Sequence, residues 1–423
     1  MKRCHFLSKS WMVVFLVVIS GVCRPGAQAC DQHPGLTPVV LFPAFHFTRL
    51  QVTVKHQAVA PECPDSGTFT DLFLNDSPSA DFSQICQDKL LTMVYDGDGR
   101  KPMAKRFSNQ RGVHVDIVDY GKCTSAPFYE PLYAFLEANG YERDKSIRVA
   151  GYDARLTPDM DGFLERTKAL IEKTCFDNGG RPVHLIGHSN GPLYVQYLLT
   201  HTSREWKNRF IHGFTPIAGN FPGQGLSYLL LFTGLNVGSA TYPSDAGNAA
   251  SSAAMYRSHP STYMSSADPA IFQNREVVLA NLSGGSSYTP QDYRQLLQDA
   301  GLGHLQDIAD YYIGFVRFAD PRWFPNVDVY AEKGSGLPTP VGAALKDLST
   351  GQIVDADTAF FFRDGDTNQE DITNEAVQAW DSMRCFRFEL TDNPGIDHFS
   401  LPGNEGVLSR LLANLQRPRS RCR

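Results

Sequence analysis

The segment HLIGHSNGPLYVQYLL, residues 184–199, constrains the fold more than any other part of the chain. An apolar run leads into a serine between two glycines, and a helix-like pattern follows. G-x-S-x-G in that context is typical of a nucleophile elbow, a sharp turn that exposes a strained serine between a strand and a helix. The pentapeptide alone is a common chance match. The strand and helix on either side of it favour Ser189 as a nucleophile over an ordinary loop serine.

Strand-like and helix-like segments alternate on both sides of this motif. The strand candidates are 36–45, 112–121, 146–153, 181–189 and 209–219, and the helix candidates are 129–141, 160–175 and 191–200. Alternation of this kind predicts a mainly parallel sheet with crossover helices on its faces.

The alternation stops between about residues 220 and 320, a stretch rich in Gly, Ser, Ala and Tyr. We interpret this stretch as a cap inserted into an α/β core. The core is expected to resume with strands at 326–334 and 358–366 and to end with a helix at 404–416. The expected division is a signal peptide at 1–29, a first core part at 30–219, the cap at 220–320 and a second core part at 321–423.

The first 29 residues have the layout of a secretory signal peptide. Lys2 and Arg3 precede an apolar run at 11–22, and Ala27-Gln28-Ala29 supplies a small-x-small cleavage pattern. The run is short for a membrane span. We therefore expect a cleaved signal and a soluble protein in an exported compartment; an uncleaved signal anchor is the alternative.

Cysteine usage and glycosylation motifs agree with export. Of nine cysteines, Cys4 and Cys23 would leave with the signal peptide. The seven that remain are Cys30, Cys63, Cys86, Cys123, Cys175, Cys385 and Cys422. Their wide spacing contains no C-x-x-C pair, which favours disulfides over zinc, and their odd number leaves a thiol free or paired between chains. Asn75 and Asn281 each begin an N-x-S glycosylation motif.

Charge excludes some classes of partner. A formal charge of −6 and the lack of a Lys/Arg block give no electrostatic reason to expect nucleic acid or a polybasic membrane anchor. We expect no cofactor and no metal, and the oligomeric state has no signature in the sequence.

A serine nucleophile needs a base, and the base needs an acid that orients it. In the α/β-hydrolase fold these residues follow one another in the chain order serine, acid, histidine. Beyond Asp366 the only histidine is His398, whereas His304 lies in the predicted cap. His398 is therefore the predicted base. The acid is expected just past the strand at 358–366, where the candidates are Asp364, Asp366, Glu370 and Asp371. We favour Asp366, with Asp364 next.

An oxyanion hole needs two backbone N–H groups aimed at the developing charge. One should come from Asn190, which follows the nucleophile. The other should come from the loop at 43–46, after the first strand.

Several segments together resemble lecithin:cholesterol acyltransferases and the related lysosomal phospholipase A2. They are PVVLFPAF, VDYGKCTS, GYERDKSIRVAGYDARLTP, VHLIGHSNG, IAGNFPGQGLSYLLLFTGLNVG, YAEKGSGLPTP and FRDGDTNQ, and they span residues 38 to about 410. The resemblance implies an α/β-hydrolase fold with a membrane-binding subdomain and a cap. It implies cleavage of a glycerophospholipid acyl ester through an acyl-serine, with transfer to water or a lipid alcohol. It also implies a phospholipid membrane or lipoprotein surface as partner, and a secreted or lysosomal destination.

The resemblance carries over to particular residues. Ser189, Asp366 and His398 match the family's triad. Phe45 and Asn190 match its oxyanion positions. Cys63 and Cys86 match a pair that closes a short lid-like loop, which in this chain carries Phe69, Leu72, Phe73 and Leu74 as candidates for insertion into lipid. The alternative for this loop is a disulfide-pinned surface loop that packs on its own core.

The chain departs from the family pattern at several positions. Ala44 stands where glycine is usual, Ala154 where tryptophan is usual, and Asn190 where a larger apolar residue is usual. The acid loop continues as Thr367-Asn368-Gln369 rather than as Thr-Val. These departures bear on acyl specificity and partner choice rather than on catalysis, and the polar side chain of Asn190 is expected to mark a different substrate.

Two other functions compete with a lipid hydrolase and acyltransferase. One is a soluble serine carboxylesterase or thioesterase that uses the same triad. The other is a catalytically inactive lipid-binding protein. The intact order of Ser189, Asp366 and His398 favours an enzyme.

Overall fold

The structure is a computed structural model that describes residues 35–56, 59–61, 63–72, 83–235, 246–272, 278–353 and 359–420. The predicted signal peptide, Asn75, Phe73 and Leu74 lie outside the described residues. Across the described ranges, no helix combines the length and the apolar character needed to cross a membrane.

The strands are β1 Val39–Phe42, β2 Leu50–Val54, β3 Gly67–Leu72, β4 Met93–Tyr95, β5 Phe107–Asn109, β6 Val113–Ile117, β7 Ile147–Val149, β8 Val183–His188, β9 Ile211–Ile217, β10 Leu279–Asn281, β11 Ser286–Tyr288, β12 Val329–Ser335, β13 Leu337–Asp347, β14 Gln352–Ile353, β15 Phe360–Gly365 and β16 Phe388–Pro394. The α-helices are α1 Gln84–Leu91, α2 Glu130–Ala138, α3 Phe163–Asp177, α4 Gly191–Thr200, α5 Arg204–Phe210, α6 Leu226–Thr233, α7 Ala246–Arg257, α8 Pro260–Met264, α9 Pro269–Phe272, α10 Tyr293–Asp299, α11 Gln306–Tyr312, α12 Asp371–Glu375 and α13 Glu405–Gln416.

A parallel sheet of six strands, in the order β16-β12-β9-β8-β1-β7, forms the centre of the molecule. Its strands carry apolar residues on both faces, because helices cover both sides. In β1, Val39 and Leu41 share a core cluster with apolar residues of α2 and α13, whereas Val40 and Phe42 share one with residues of α3 and α4. The sequence prediction of a mainly parallel sheet with crossover helices is confirmed.

Two predicted strands lie outside this central sheet. The candidate at 112–121 forms β6, which pairs antiparallel with β2 in a small sheet of order β3-β2-β6. The candidate at 358–366 forms β15, which pairs antiparallel with β13 in a second sheet. The placement of 358–366 in the resumed core was therefore wrong. Periodicity identifies a strand but not its partner, because pairing depends on distant segments.

The sequence analysis missed β16, the edge strand of the central sheet. Its residues, FELTDNP, are mostly half-buried or exposed, since among the described strands β16 pairs only with β12. An edge strand lacks the continuous apolar run of a strand that is covered on both faces. This strand matters for the site because it leads directly to His398.

The regular elements described in the segment from 220 to 320 are mainly helices. The segment contains α6 to α11 and the hairpin of β10 and β11. The strand β10 pairs parallel with β13, so this hairpin extends the second sheet. The helix α6 is buried along its whole length.

A disulfide joins Cys63 to Cys86, the pairing that the family resemblance implied. Cys123 is buried and its thiol points to the carbonyl oxygen of Ile147, with a sulfur–oxygen distance of 3.7 Å. Burial raises the pKa of the Cys123 thiol to about 12, so this thiol stays protonated and unreactive at ordinary pH. Cys30 and Cys422 lie outside the described residues.

Candidate active site

The elbow at the end of β8 holds Ser189 in a left-handed backbone conformation. Its φ is +58°, between a strand that ends at His188 and a helix that begins at Gly191. A non-glycine residue in this region costs about 1–3 kcal/mol, so the surrounding structure must hold it there. The Ser189 N–H donates to the carbonyl of Ile217 at 3.0 Å, and its carbonyl accepts from the N–H of Asn220 at 3.0 Å. The predicted strand–turn–helix geometry around Ser189 is present.

The surroundings of Gly191 explain why the motif needs a glycine two residues after the serine. A Cβ added at Gly191 would lie 2.2 Å from the carbonyl oxygen of Phe42 at the end of β1. The missing side chain lets the start of α4 approach the end of the neighbouring strand. The elbow and the predicted oxyanion loop after β1 are therefore in direct contact.

His398 and Asp366 form a buried pair. Their Nδ1 and Oδ2 atoms are 2.9 Å apart, and the exposed fractions of the two side chains are 1% and 0%. The main-chain N–H of His398 also donates to the carbonyl of Asp366 at 2.7 Å. Because the carboxylate accepts the proton on Nδ1, Nε2 of His398 is left as the base for a serine hydroxyl.

The other Asp366 oxygen is held by main-chain donors. Oδ1 accepts from the N–H of Asn368 at 3.1 Å and from the N–H of Gln369 at 2.7 Å. These bonds fix the carboxylate and turn Oδ2 toward His398. The elbow is next to this pair, since the rings of His188 and His398 have centroids 4.9 Å apart.

The close approach of the acid loop to the central sheet depends on Gly334 in β12. A Cβ at Gly334 would lie 2.8 Å from the Cβ of Asp366 and 2.5 Å from the carbonyl oxygen of Ile396. Asp366 follows β15 of the second sheet, whereas His398 follows β16 of the central sheet. Gly334 thus lies at the seam where the two sheets bring acid and base together.

The alternative acids and the alternative base lie elsewhere. Asp364 is exposed on β15 opposite Pro338, and His304 is exposed in the 220–320 segment. Glu370 is 3% exposed and occupies the N-cap position of α12. The structure therefore pairs His398 with Asp366 among the candidate acids.

The candidate oxyanion residues lie on either side of the close contact between the end of β1 and the start of α4. Phe45 follows β1, and Asn190 directly precedes the first residue of α4. The first N–H groups of a helix have no acceptor within the helix, and they lie at the positive end of its dipole. The N–H of Asn190 is thus in a position suited to an anion.

The side chain of Asn190 is hydrogen-bonded inside the protein. Its Nδ2 donates to the hydroxyl of Ser265 at 2.7 Å, and its Oδ1 accepts from Nδ2 of Asn220 at 2.8 Å. The residue is 3% exposed. A polar side chain suits this position because it ties the elbow to the residue after α8, a contact that an apolar side chain cannot make.

Replacing Asn190 with leucine is therefore expected to lower stability more than activity. Leucine leaves the buried amide of Asn220 without its acceptor, which costs about 1–3 kcal/mol in the free energy of unfolding. The backbone N–H stays in place, so kcat should remain within about threefold of wild type, as expected for a main-chain donor. Urea unfolding and ester hydrolysis measure the two effects. A tenfold fall in kcat at unchanged stability would show that the side chain acts on the substrate.

Part of the lid loop packs on the protein itself. The strand β3 pairs with β2, and Phe69 is half-buried against a core cluster that includes Leu50, Val52 and Leu90. This packing favours the alternative of a loop with its own core, at least for Phe69. The side chain of Leu72 lies outside the described residues, like Phe73 and Leu74.

The second glycosylation motif lies at the end of β10. Asn281 is half-buried, and its Oδ1 accepts from the hydroxyl of Ser283 at 3.0 Å. The intervening Leu282 is 60% exposed. In the part of the chain that the structure describes, no cluster of three or more His, Cys, Asp or Glu residues is arranged to hold a metal ion.

Sequence reasoning missed three residues that support the site. Tyr129, Tyr152 and His188 are buried and hydrogen-bond to the oxyanion loop or to His398. His188 stood in the serine motif, as the variable residue before the serine, and Tyr152 stood in the segment GYERDKSIRVAGYDARLTP. Neither motif indicated these hydrogen bonds, because the partners of all three residues are distant in sequence.

Comparison with known proteins shows that the chain is similar in sequence to lipid acyltransferases. A model of the lecithin:cholesterol acyltransferase family matches residues 80–256. The human lysosomal phospholipase A and acyltransferase is 25% identical over 418 residues, covering 94% of each chain. The mouse phosphatidylcholine-sterol acyltransferase is 29% identical over 326 residues, covering 73% of this chain and 70% of its own length. The resemblance drawn from the sequence motifs is confirmed.

Solved structures give the same fold. A chain in the crystal structure of the Tle4–Tli4 complex superposes with a TM-score of 0.50 at 12% identity, covering 90% of this chain and 99% of that one. Together with the parallel sheet and its flanking helices, this confirms the predicted α/β-hydrolase fold.

Proposed function

We propose that this chain is a serine lipid hydrolase and O-acyltransferase that cleaves an acyl ester of a glycerophospholipid and passes the acyl group to water or a lipid alcohol. The observation that carries the proposal is the buried Asp366–His398 pair beside a strained Ser189 at an elbow. Similarity to relatives named as phospholipase A and as acyltransferases supports the lipid substrate.

In the proposed reaction, the Ser189 hydroxyl attacks the acyl carbonyl and its proton moves to Nε2 of His398. Asp366 stabilises the imidazolium that forms. The N–H groups of Phe45 and Asn190 would bind the oxyanion of the tetrahedral intermediate. The intermediate collapses to an acyl-Ser189, and the lysophospholipid leaves with the proton from His398.

The second half of the reaction repeats these steps with another nucleophile. Water or a lipid alcohol gives its proton to His398 and attacks the acyl-Ser189 carbonyl. The tetrahedral intermediate then releases Ser189, which recovers its proton from His398, and a fatty acid or a new acyl ester leaves. The choice between products depends on which hydroxyl reaches the acyl-enzyme first.

We also propose how the rest of the chain serves this reaction. The loop closed by Cys63 and Cys86 would contact the surface of a membrane or lipoprotein. The 220–320 segment would cap the site over Asn190. Cleavage of the signal peptide after residue 29 would deliver the protein to a secreted or lysosomal destination.

The test uses phosphatidylcholine vesicles with a labelled acyl chain, with and without a long-chain alcohol or a sterol. We expect labelled fatty acid from vesicles alone, and labelled acyl ester when the alcohol is present. Ser189→Ala protein is the control for contaminating activity. Hydrolysis of dissolved p-nitrophenyl butyrate without any attack on vesicles would favour a soluble esterase instead. Folded protein that cleaves neither substrate would contradict the proposal.

A further inference from the structure

Two buried tyrosines hold the peptide group that joins Pro43 to Ala44, in the loop after β1. The hydroxyl of Tyr152 donates to the carbonyl oxygen of Pro43 at 2.6 Å. On the other side of the same peptide group, the N–H of Ala44 donates to the hydroxyl oxygen of Tyr129 at 2.7 Å. The exposed fraction is 1% for Tyr129 and 2% for Tyr152. With both of its polar atoms bonded, this peptide plane cannot rotate without breaking a buried hydrogen bond.

The hydroxyl of Tyr129 continues the chain of hydrogen bonds to the catalytic base. Its oxygen lies 3.0 Å from Nδ1 of His188, and Nε2 of His188 lies 3.0 Å from the carbonyl oxygen of His398. A carbonyl oxygen only accepts, so Nε2 of His188 carries the proton and Nδ1 accepts from the Tyr129 hydroxyl. The chain of hydrogen bonds therefore runs from the N–H of Ala44 through Tyr129 and His188 to the main-chain carbonyl of His398.

These contacts link the three loops that build the site. Ala44 lies in the loop after β1, His188 at the end of β8 and His398 in the loop after β16. We propose that Tyr129 and Tyr152 are positioning residues. By holding the peptide group between Pro43 and Ala44, they set the direction of the Phe45 N–H. Through His188, they also align this N–H with His398. This inference rests on the proposed function.

The protonation states of the three side chains fit this arrangement. Burial raises the pKa of both tyrosines above the ordinary value, so their hydroxyls keep the protons that they donate. Burial lowers the pKa of His188 well below its ordinary value, so its Nδ1 remains a lone-pair acceptor.

A third tyrosine, Tyr133, provides a matched control. It is also 1% exposed and lies in α2, directly after the turn that carries Tyr129, but its hydroxyl donates to the carbonyl of Ala126 at 3.0 Å. That bond is local and reaches none of the three loops. Removing the Tyr133 hydroxyl therefore reproduces the loss of a buried hydrogen bond without touching the site.

The experiment compares Tyr129→Phe, Tyr152→Phe and Tyr133→Phe with wild type, using kcat and KM for p-nitrophenyl butyrate together with urea unfolding. We expect Tyr129→Phe to lower kcat about 10- to 100-fold, because a misplaced oxyanion donor acts on the transition state. KM should stay within about twofold, since ground-state binding is unchanged. Tyr133→Phe should keep kcat within about twofold at a comparable loss of stability.

A second pair of variants tests the link through His188. In His188→Gln the side-chain amide is able to donate to the His398 carbonyl in place of Nε2, whereas His188→Ala loses both bonds. We expect kcat to fall in the order wild type, glutamine, alanine. Tyr152→Phe keeps the inference testable if Tyr129→Phe fails to fold, because it frees the other side of the same peptide group.

The outcomes separate the inference from the proposed function. Wild type that hydrolyses the ester in a Ser189-dependent way, with Tyr129→Phe and Tyr152→Phe no slower than Tyr133→Phe, would overturn the inference and leave the function standing. A slower Tyr129→Phe with a raised KM and unchanged kcat would also overturn it. Folded wild type that neither hydrolyses the ester nor reacts with a fluorophosphonate probe would overturn both.

Discussion

Replacing Ser189 with alanine is expected to lower kcat for ester hydrolysis by about 10⁴- to 10⁶-fold, the range found when a triad nucleophile is removed. The substitution removes the atom that would form the acyl-enzyme, so no residual covalent route remains. The fold should persist, because the bonds from Ser189 to Ile217 and Asn220 use main-chain atoms. Steady-state kinetics measure the loss, and mass spectrometry after a fluorophosphonate probe shows whether position 189 alone carries the label.

Ser125 supplies the matched control for this experiment. It is completely buried, and its hydroxyl donates to the carbonyl of Lys122 at 2.7 Å. Ser125→Ala should cost some stability but leave kcat within about twofold, as for any buried hydrogen bond away from the chemistry. If Ser189→Ala keeps more than about 1% of the wild-type kcat, well above the residual expected after loss of a nucleophile, another residue is the nucleophile.

Lowering the pH from 7 to 5 is expected to lower the free energy of unfolding through three buried histidines, each of which contributes at most about 2 kcal/mol over this range. His184, His188 and His259 are completely buried, and burial lowers the pKa of each, to about 3 for His259 and well below the ordinary value for the other two. The unfolded chain binds protons near pH 6.5 and the folded chain does not. Stability from these residues is therefore fully present above about pH 6.5 and falls as the pH drops below it.

Two half-buried carboxyls act in the opposite direction. Burial raises the pKa of Asp159 and of Asp268, so both favour the folded state as the pH falls. They offset part of the stability that the histidines lose as the pH falls. They titrate at lower pH than the histidines of the unfolded chain, nearer the ordinary range of a carboxyl group.

Urea unfolding at pH 7, 6 and 5 tests this prediction. The matched variant is His259→Gln, because glutamine is able to keep the donor that His259 Nε2 provides to the Leu91 carbonyl at 3.0 Å. As the pH falls from 7 to 5, this variant should lose less stability than wild type. The difference should be about one third of the total contribution of the three histidines. An unfolding midpoint that stays constant between pH 7 and 5 would contradict the prediction and would suit an acidic destination.

The elbow was predictable because its determinants are local. A buried strand of continuous apolar residues, a serine in a left-handed turn and a glycine that meets Phe42 all leave marks within residues 184–199. His398 followed from chain order and from the scarcity of histidines near the C-terminus. Asp366 was one of four candidates that chain order left open. The family resemblance favoured it, and its buried contact with His398 separates it from the exposed Asp364.

The rest depended on long-range contacts that no local pattern records. Tyr129 and Ala44 are 85 positions apart in sequence, and Tyr152 and Pro43 are 109 apart. The hydrogen bond of Asn190 was not predictable because its partner Ser265, the residue after α8, is 75 positions away. The placement of β15 in a second sheet was missed because a short apolar run predicts a strand whichever sheet that strand joins.

The seam at Gly334 has a consequence for how activity is gained and lost. Since the acid and the base belong to different sheets, their distance is set by how those sheets dock rather than by either loop alone. Substitutions along β12, β13 and β15 that loosen this docking would separate Asp366 from His398 while both side chains remain in the sequence. In the proposed mechanism, a change at Gly334 alone would therefore abolish activity in a chain that keeps every motif.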